Sequence, residues 1–175
     1  MERSEFASYR ILLLGGKTHA LTLLRSILSN AGVSNILQVE DTRRAMELLC
    51  WENFHAVFFD PSACDDFDGE PFALAARRRE TVINPMVPIY AMQERARRRD
   101  VEKARDDGVT DVLTTPVSPR TVLAKLKAAP RAFIVSRNFL GPDRRASARA
   151  PWFGPDRRKR RAKKAKVDIS HFTPI

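Results

Sequence analysis

The chain has 175 residues, 43% of them hydrophobic and 30% charged, enough for one domain with a real core plus an appendage and too few for two large domains. Its formal net charge of +10 is unevenly spread: residues 1–130 hold 18 Lys/Arg against 18 Asp/Glu, whereas residues 131–175 hold 13 against 3. The basic end calls for an anionic partner, a solvating tail being the bland alternative, and the two cysteines, Cys50 and Cys64, have no spacing that suggests zinc or a disulfide framework.

Along the chain, short apolar runs alternate with stretches of helical periodicity. The first run, Tyr9-Leu14, is too short for a membrane span, and the charged start Met1-Glu2-Arg3-Ser4-Glu5 does not resemble a signal peptide, so a soluble cytoplasmic protein is expected. Leu21, Leu24, Ile27, Leu28 and Ala31 then repeat at helical spacing, with Thr18 as the expected cap and Gly32 as the stop. A second run, Asn35-Val39, precedes a helix over Thr42–Trp51 with Ala45, Leu48 and Leu49 inward. The third run, Ala56-Phe59, ends at Asp60, and a helix is predicted from about Glu70 through Arg79.

The fourth run is Val87-Met92. The helix after it, about Ala96 to Asp107, carries few apolar residues and many charges, which predicts a wide solvent face. The fifth run, Asp111-Thr114, leads to Ser118 and Pro119, a cap followed by proline at the first helical position, with Val122, Leu123 and Leu126 as the inward side. Strands alternating with helices in this way predict an α/β fold around a parallel sheet.

Pro130 marks the expected edge of that domain. Beyond it, Phe139-Leu140-Gly141-Pro142-Asp143-Arg144-Arg145 returns as Trp152-Phe153-Gly154-Pro155-Asp156-Arg157-Arg158. Each copy joins a bulky apolar pair, a Gly-Pro-Asp turn signal and an arginine pair. Lys159 to Lys166 is almost unbroken positive charge and is expected to be disordered when free.

Asp60 at the end of the third strand, Asp68-Gly69 in the next loop and Thr115-Pro116 after the fifth strand together resemble the receiver domain of two-component response regulators. The resemblance spans residues 8–129 and leaves 130–175 as a basic extension. It implies a doubly wound, flavodoxin-like five-stranded parallel sheet of order 2-1-3-4-5, with the site at the carboxyl ends of the strands. Gly15, Gly16, Asp60, Gln93 and Thr115 are then expected around one crevice.

The same resemblance implies a dismantled pocket. The family keeps an acidic pair after the first strand, where this chain has Gly15 and Gly16, and a lysine where it has Thr115. Its small hydroxyl residue at the end of the fourth strand is Gln93, and its aromatic switch residue is Val112. Phosphoryl transfer to an aspartate needs a divalent cation held by carboxylates and positive charge on the phosphoryl oxygens. Asp60 alone supplies neither, although Asp65, Asp66 or Asp68 stand nearby in sequence. A strand-end carboxylate kept for local hydrogen bonds is the plainer reading of Asp60.

Gly15-Gly16-Lys17-Thr18 is reminiscent of a phosphate-binding loop, but the required first glycine falls on Ile11. His19, His55 and His171 have no ligand spacing, and no nucleophile–base pair stands out, so neither a metal, a cofactor nor catalysis is expected.

Three functions remain in view. The first is a phosphorylation-independent adaptor that binds a signalling protein through the fourth helix, fifth strand and fifth helix, the usual contact face of the family, with Arg95, Arg97, Arg98 and Arg99 favouring an acidic partner. The second keeps Asp60 as a weak phosphoacceptor. In the third, Trp152 and Phe153 stack on bases while Arg144, Arg145, Arg157, Arg158 and Asp156 bind cyclic di-GMP or nucleic acid. Arginine-rich extensions of that kind occur on receiver-like proteins that bind cyclic di-GMP.

Overall fold

The structure is a computed structural model that describes residues 5–127 and the backbone of two further strands, 133–136 and 139–142. Five strands, β1 (Arg10–Leu14), β2 (Asn35–Val39), β3 (Ala56–Phe59), β4 (Ile89–Gln93) and β5 (Asp111–Thr114), form one sheet in the order β2-β1-β3-β4-β5. All four pairings are parallel. Parallel neighbours need crossovers, and the helices α1 (His19–Asn30), α2 (Thr42–Trp51), α3 (Phe72–Arg78), α4 (Arg98–Asp106) and α5 (Pro119–Lys127) supply them.

Side chains alternate across each strand, so the sheet feeds two cores. Ile11, Leu13, Phe58, Tyr90 and Met92 pack with Leu21, Leu24 and Leu28 of α1 and Val122 and Leu126 of α5. Leu12, Leu14, Val57, Phe59, Ile89 and Ala91 pack with Ala45, Met46 and Leu49 of α2 and Phe72, Ala75 and Ala76 of α3. The inner strands β1, β3 and β4 are buried on both faces and read as nearly continuous apolar runs, which is why they are visible in the sequence.

Helix starts follow the expected chemistry. Thr18 Oγ1 accepts from Leu21 N at 3.3 Å, and Ser118 Oγ accepts from Thr121 N at 3.2 Å, each satisfying an amide that the first turn leaves unpaired. In α4 no residue is fully buried, in keeping with its charge.

Several details differ, beginning with the first strand, which starts at Arg10 and not Tyr9. The third helix starts at Phe72 and not near Glu70, because Phe67 and Glu70 exchange backbone hydrogen bonds around an Asp68-Gly69 turn with φ of 51° and 80°, and Pro71 follows. The fourth strand runs from Ile89 through Gln93, later than Val87-Met92, and α4 begins at Arg98 and not Ala96. In α2, Met46 is buried beside Ala45 and Leu49, while the expected inward Leu48 is half-buried.

Two features were not foreseen. Arg77 is only 6% exposed and lies among backbone acceptors: Nη1 donates to the carbonyls of Pro85 and Val87, both at 2.6 Å, and Nε to Gly108 O at 3.2 Å. Its Nη2 also lies 3.2 Å from Thr110 Oγ1. One guanidinium thus ties α3 to the loops that enter β4 and β5, at the amino ends of those strands. Burial pulls its pKa down to about 9, which still leaves it a cation at neutral pH.

The second is an antiparallel hairpin of β6 (Phe133–Ser136) and β7 (Phe139–Pro142). Gly141 and Pro142, read above as part of a turn, instead pair with Ile134 and Phe133 in this ladder. The β7 backbone runs beside α3 and α4. An isolated two-stranded hairpin is marginal in water, so a neighbouring surface helps to account for it.

Candidate functional site

The carboxyl ends of β1, β3, β4 and β5 converge beside the switch in strand order between β1 and β3, where doubly wound sheets open a crevice. A cleft of about 690 Å³ is found there, and Asp60, Gln93 and Thr115 all line it. Three of the five residues expected at the crevice therefore share one wall. Gly15 is buried behind Asp60: a Cβ built on it would lie 3.4 Å from Asp60 Cβ and 3.0 Å from Leu21 Cδ1. Gly16 contributes no wall, since a Cβ there would meet nothing within 4 Å.

Local hydrogen bonds hold Asp60 in place. Its amide donates to Leu14 O at 3.1 Å, continuing the sheet, and its Oδ1 accepts from Ser62 N at 3.0 Å and Ser62 Oγ at 2.6 Å. The carboxylate so caps the single 3-10 turn Pro61–Ala63. Thr115 N donates to Gln93 O at 2.9 Å, drawing the ends of β4 and β5 together, and the Thr115-Pro116 peptide is cis.

The other charges of the cleft are Glu94, Arg95 and Asp100, with His19 at its edge. Asp100 is engaged on its own helix, its Oδ2 accepting from Arg97 N at 3.1 Å and its Oδ1 lying 3.6 Å from Arg99 Nε. Gln93 Oε1 is buried without a hydrogen-bond partner. That oxygen can only accept, so any donation from Gln93 to an anion falls to its side-chain amide nitrogen.

The acidic loop does not complete the site. Asp68 Oδ2 lies 2.5 Å from Arg79 Nη2 and its Oδ1 3.8 Å from Arg43 Nη2, so its charge is directed toward α2 and α3. Asp65 and Asp66 do not line the cleft, and among the described residues no group of three His, Cys, Asp or Glu could hold a metal ion. A hard divalent cation wants several oxygen ligands, so this donor set does not fit the magnesium that the fold implies. Next to Asp60, the Cys64 thiol donates toward Leu14 O at 3.7 Å. Burial first, then the Asp60 and Asp65 charges, push its pKa up to about 12, which makes it a poor nucleophile.

Solved structures similar to this chain include receiver domains and response regulators. A response regulator from Desulfuromonas acetoxidans is similar with a TM-score of 0.58 and 21% identity, over 68% of this chain and 94% of its own. The receiver domain of sensor histidine kinase PA1611 from Pseudomonas aeruginosa, solved with magnesium coordinated in its active-site cleft, gives 0.56 and 21% over 69% of this chain and 96% of that one. The receiver domain of the Saccharomyces cerevisiae response regulator Ssk1, solved with the histidine phosphotransfer protein Ypd1, belongs to a structure matching at 0.56 and 21%, over 69% and 88%. No protein-family model and no curated protein matches the sequence. The chain therefore has the flavodoxin-like receiver fold of response regulators, with a five-stranded parallel sheet of order 2-1-3-4-5.

Arg144, Arg145, Trp152, Phe153, Asp156, Arg157 and Arg158 lie outside the described residues. Among the described residues no helix is long and apolar enough to cross a membrane. Sequence reasoning gave no role to the surface around Trp51, which is 82% exposed at the end of α2. A tryptophan closing an amphipathic helix was the available signal.

Proposed function

We propose that this protein is a phosphorylation-independent receiver-like adaptor of bacterial signal transduction, cytoplasmic and without catalysis of its own. The observation that carries the reading is the composition of the Asp60 cleft. The fold is that of phosphate-accepting domains, yet glycines stand at the acidic pair, Thr115 at the lysine and Gln93 at the hydroxyl. Loss of such electrostatic terms commonly costs orders of magnitude in rate each. What remains useful is the folded surface.

The partner face in this reading is α4, β5 and α5. Arg95, Arg97, Arg98 and Arg99 are exposed at its start and favour an acidic protein. Arg98 is bound by Glu102 at 2.9 Å and Lys125 by Asp111 at 2.5 Å, so Arg95 and Arg97 are the cations best suited to a partner. The Ssk1 receiver domain in complex with Ypd1 is a precedent for this fold as a protein-binding module. Asp60 as a weak phosphoacceptor is the alternative.

Incubation of the full chain with acetyl phosphate and magnesium, read by intact mass, tests the choice. The adaptor reading expects no more phosphoryl adduct than Asp60→Ala shows. Rapid, Asp60-dependent modification refutes it.

A second reading rests on the placement of charge: the excess of +10 lies in residues 131–175 beside Trp152, Phe153 and the paired arginines. There the tail binds cyclic di-GMP or nucleic acid. Calorimetric titration of the full chain and an Arg157→Ala/Arg158→Ala variant with cyclic di-GMP and with short duplex DNA tests it. A steep salt dependence indicates phosphate attraction alone.

A further inference from the structure

A second groove, of about 550 Å³, opens between α2 and the loop that leads into α3, lined by Met46, Cys50 and Phe67 with Arg43, Arg79 and Trp51 around them. Trp51 is 82% exposed, while Ala45, Met46 and Leu49 of the same helix are buried. A large aromatic left mostly in water buries little surface on folding, and tryptophan is among the residue types most enriched at binding anchors.

The rim is electrostatically under-compensated. Arg79 lies over the Phe67 ring, 4.3 Å from its centroid, and 2.5 Å from Asp68. Arg43 reaches the same carboxylate only at 3.8 Å and keeps 77% of its side chain exposed. One carboxylate thus serves two guanidinium groups. Glu47 also lines the groove but is paired at 2.7 Å with Arg44, a further cation, so Arg43, Arg44 and Arg79 face two carboxylates.

We infer that this groove is a docking site for an acidic protein segment bearing a bulky apolar side chain. The apolar anchor enters between Trp51 and the floor of Met46, Cys50 and Phe67, and a neighbouring carboxylate takes the Arg43 fork. Charge selects this occupant. The chain's own Trp152-Phe153 pair sits among 13 Lys/Arg and 3 Asp/Glu of residues 131–175 and meets Arg43 and Arg79 with like charge. A second copy brings residues 1–130 with 18 Lys/Arg against 18 Asp/Glu and a basic tail, and so offers Arg43 no excess of carboxylates. The groove adjoins α2, which packs by β1 and β2, whereas β5 lies at the far edge of the sheet. It is therefore separate from the α4–β5–α5 face, and variants of one leave the other intact.

A random-peptide display library panned on the full chain, with counter-selection on Trp51→Ala, tests the inference. The expected winners combine Asp or Glu with a bulky apolar residue. They lose about tenfold or more in affinity for Trp51→Ala and for Arg43→Glu. Unchanged circular-dichroism melting of both variants shows that the fold is retained. The inference fails if no Trp51-dependent peptide emerges, or if the winners are not acidic. It also fails if acidic peptides bind Trp51→Ala undiminished, as a hold on the basic tail alone would give. Trp51-dependent self-association in sedimentation, without peptide binding, overturns it in favour of a second copy.

Discussion

Gly15 stands directly against Asp60: a Cβ built on it would touch Asp60 Cβ at 3.4 Å and crowd Leu21 Cδ1 at 3.0 Å, and its φ of 135° strains any larger residue. Gly16, its neighbour, has neither constraint. The two adjacent glycines are consequently different in kind. Gly15→Asp is expected to cost about 1–3 kcal/mol through backbone strain alone, whereas Gly16→Asp stays within about 0.5 kcal/mol. Urea unfolding of the two variants measures the contrast.

The tolerant position also offers a way to rebuild the cleft. Gly16→Asp combined with Gln93→Thr and Thr115→Lys adds a hydroxyl and an ammonium to the lining of the Asp60 cleft and a carboxylate just beyond the end of β1. The triple variant is expected to acquire acetyl-phosphate labelling that Asp60→Ala abolishes, above the level of the unmodified chain. Labelling no greater than in the unmodified chain counts against the view that missing charge is what silences Asp60.

Arg77 is the most consequential buried polar residue outside the cleft. Arg77→Ala strands the carbonyls of Pro85, Val87 and Gly108 and opens a cavity, so a loss of about 3–5 kcal/mol is expected. The pH dependence has a definite sign. Its pKa is lowered on folding, from 12.5 to about 9, so the unfolded chain binds more protons between those values and this group's contribution rises with pH only above about 9. Across pH 5–8 the gap between the native chain and Arg77→Ala is expected to stay flat, which unfolding curves at several pH values check.

The sequence announces the sheet better than it announces the locks. Asn35–Val39, Ala56–Phe59 and Asp111–Thr114 are strands at the expected bounds; Ala56–Phe59 is an unbroken apolar run buried on both faces, whereas the edge strands β2 and β5 are only partly buried and keep Asn35, Gln38, Asp111 and Thr114. The wall of Asp60, Gln93 and Thr115 follows from fixed offsets to strand ends. Arg77 was hidden because Arg77-Arg78-Arg79 reads as one exposed charge run, and only helical phase against Ala73 and Ala76 turns the first of the three inward. The Arg43–Asp68–Arg79 bridge needed the Asp68-Gly69 turn to bring α2 and α3 to one carboxylate, a tertiary event with no local signal.

Cys64 and Cys50 make a within-chain comparison of reactivity. The Cys64 thiol, raised from 9.0 to about 12, remains protonated in the folded protein at pH 8. Slow alkylation by iodoacetamide in the native state and fast alkylation in urea are expected, read site by site by mass spectrometry. Because folding raises this pKa, its stabilising contribution is complete below about pH 9 and is lost as pH climbs toward 12. Cys64→Ser is expected to flatten that part of the profile.

At the amino end of the sheet, His55 stacks on Tyr9 with ring centroids 4.7 Å apart, and its Nδ1 accepts from Arg10 N at 3.0 Å. An accepting Nδ1 requires the neutral imidazole. Burial, and then the Arg10 charge, hold its pKa below the ordinary 6.5. Protonation therefore favours the unfolded chain: the stabilisation is present above about pH 6.5 and is lost as pH falls through the folded value. His55→Phe keeps the stacking partner but removes both the acceptor and the proton. Its stability is expected to fall less steeply than that of the native chain between pH 7 and pH 5, as unfolding titrations of the two proteins measure. Parallel slopes would assign the acid sensitivity to carboxylates instead.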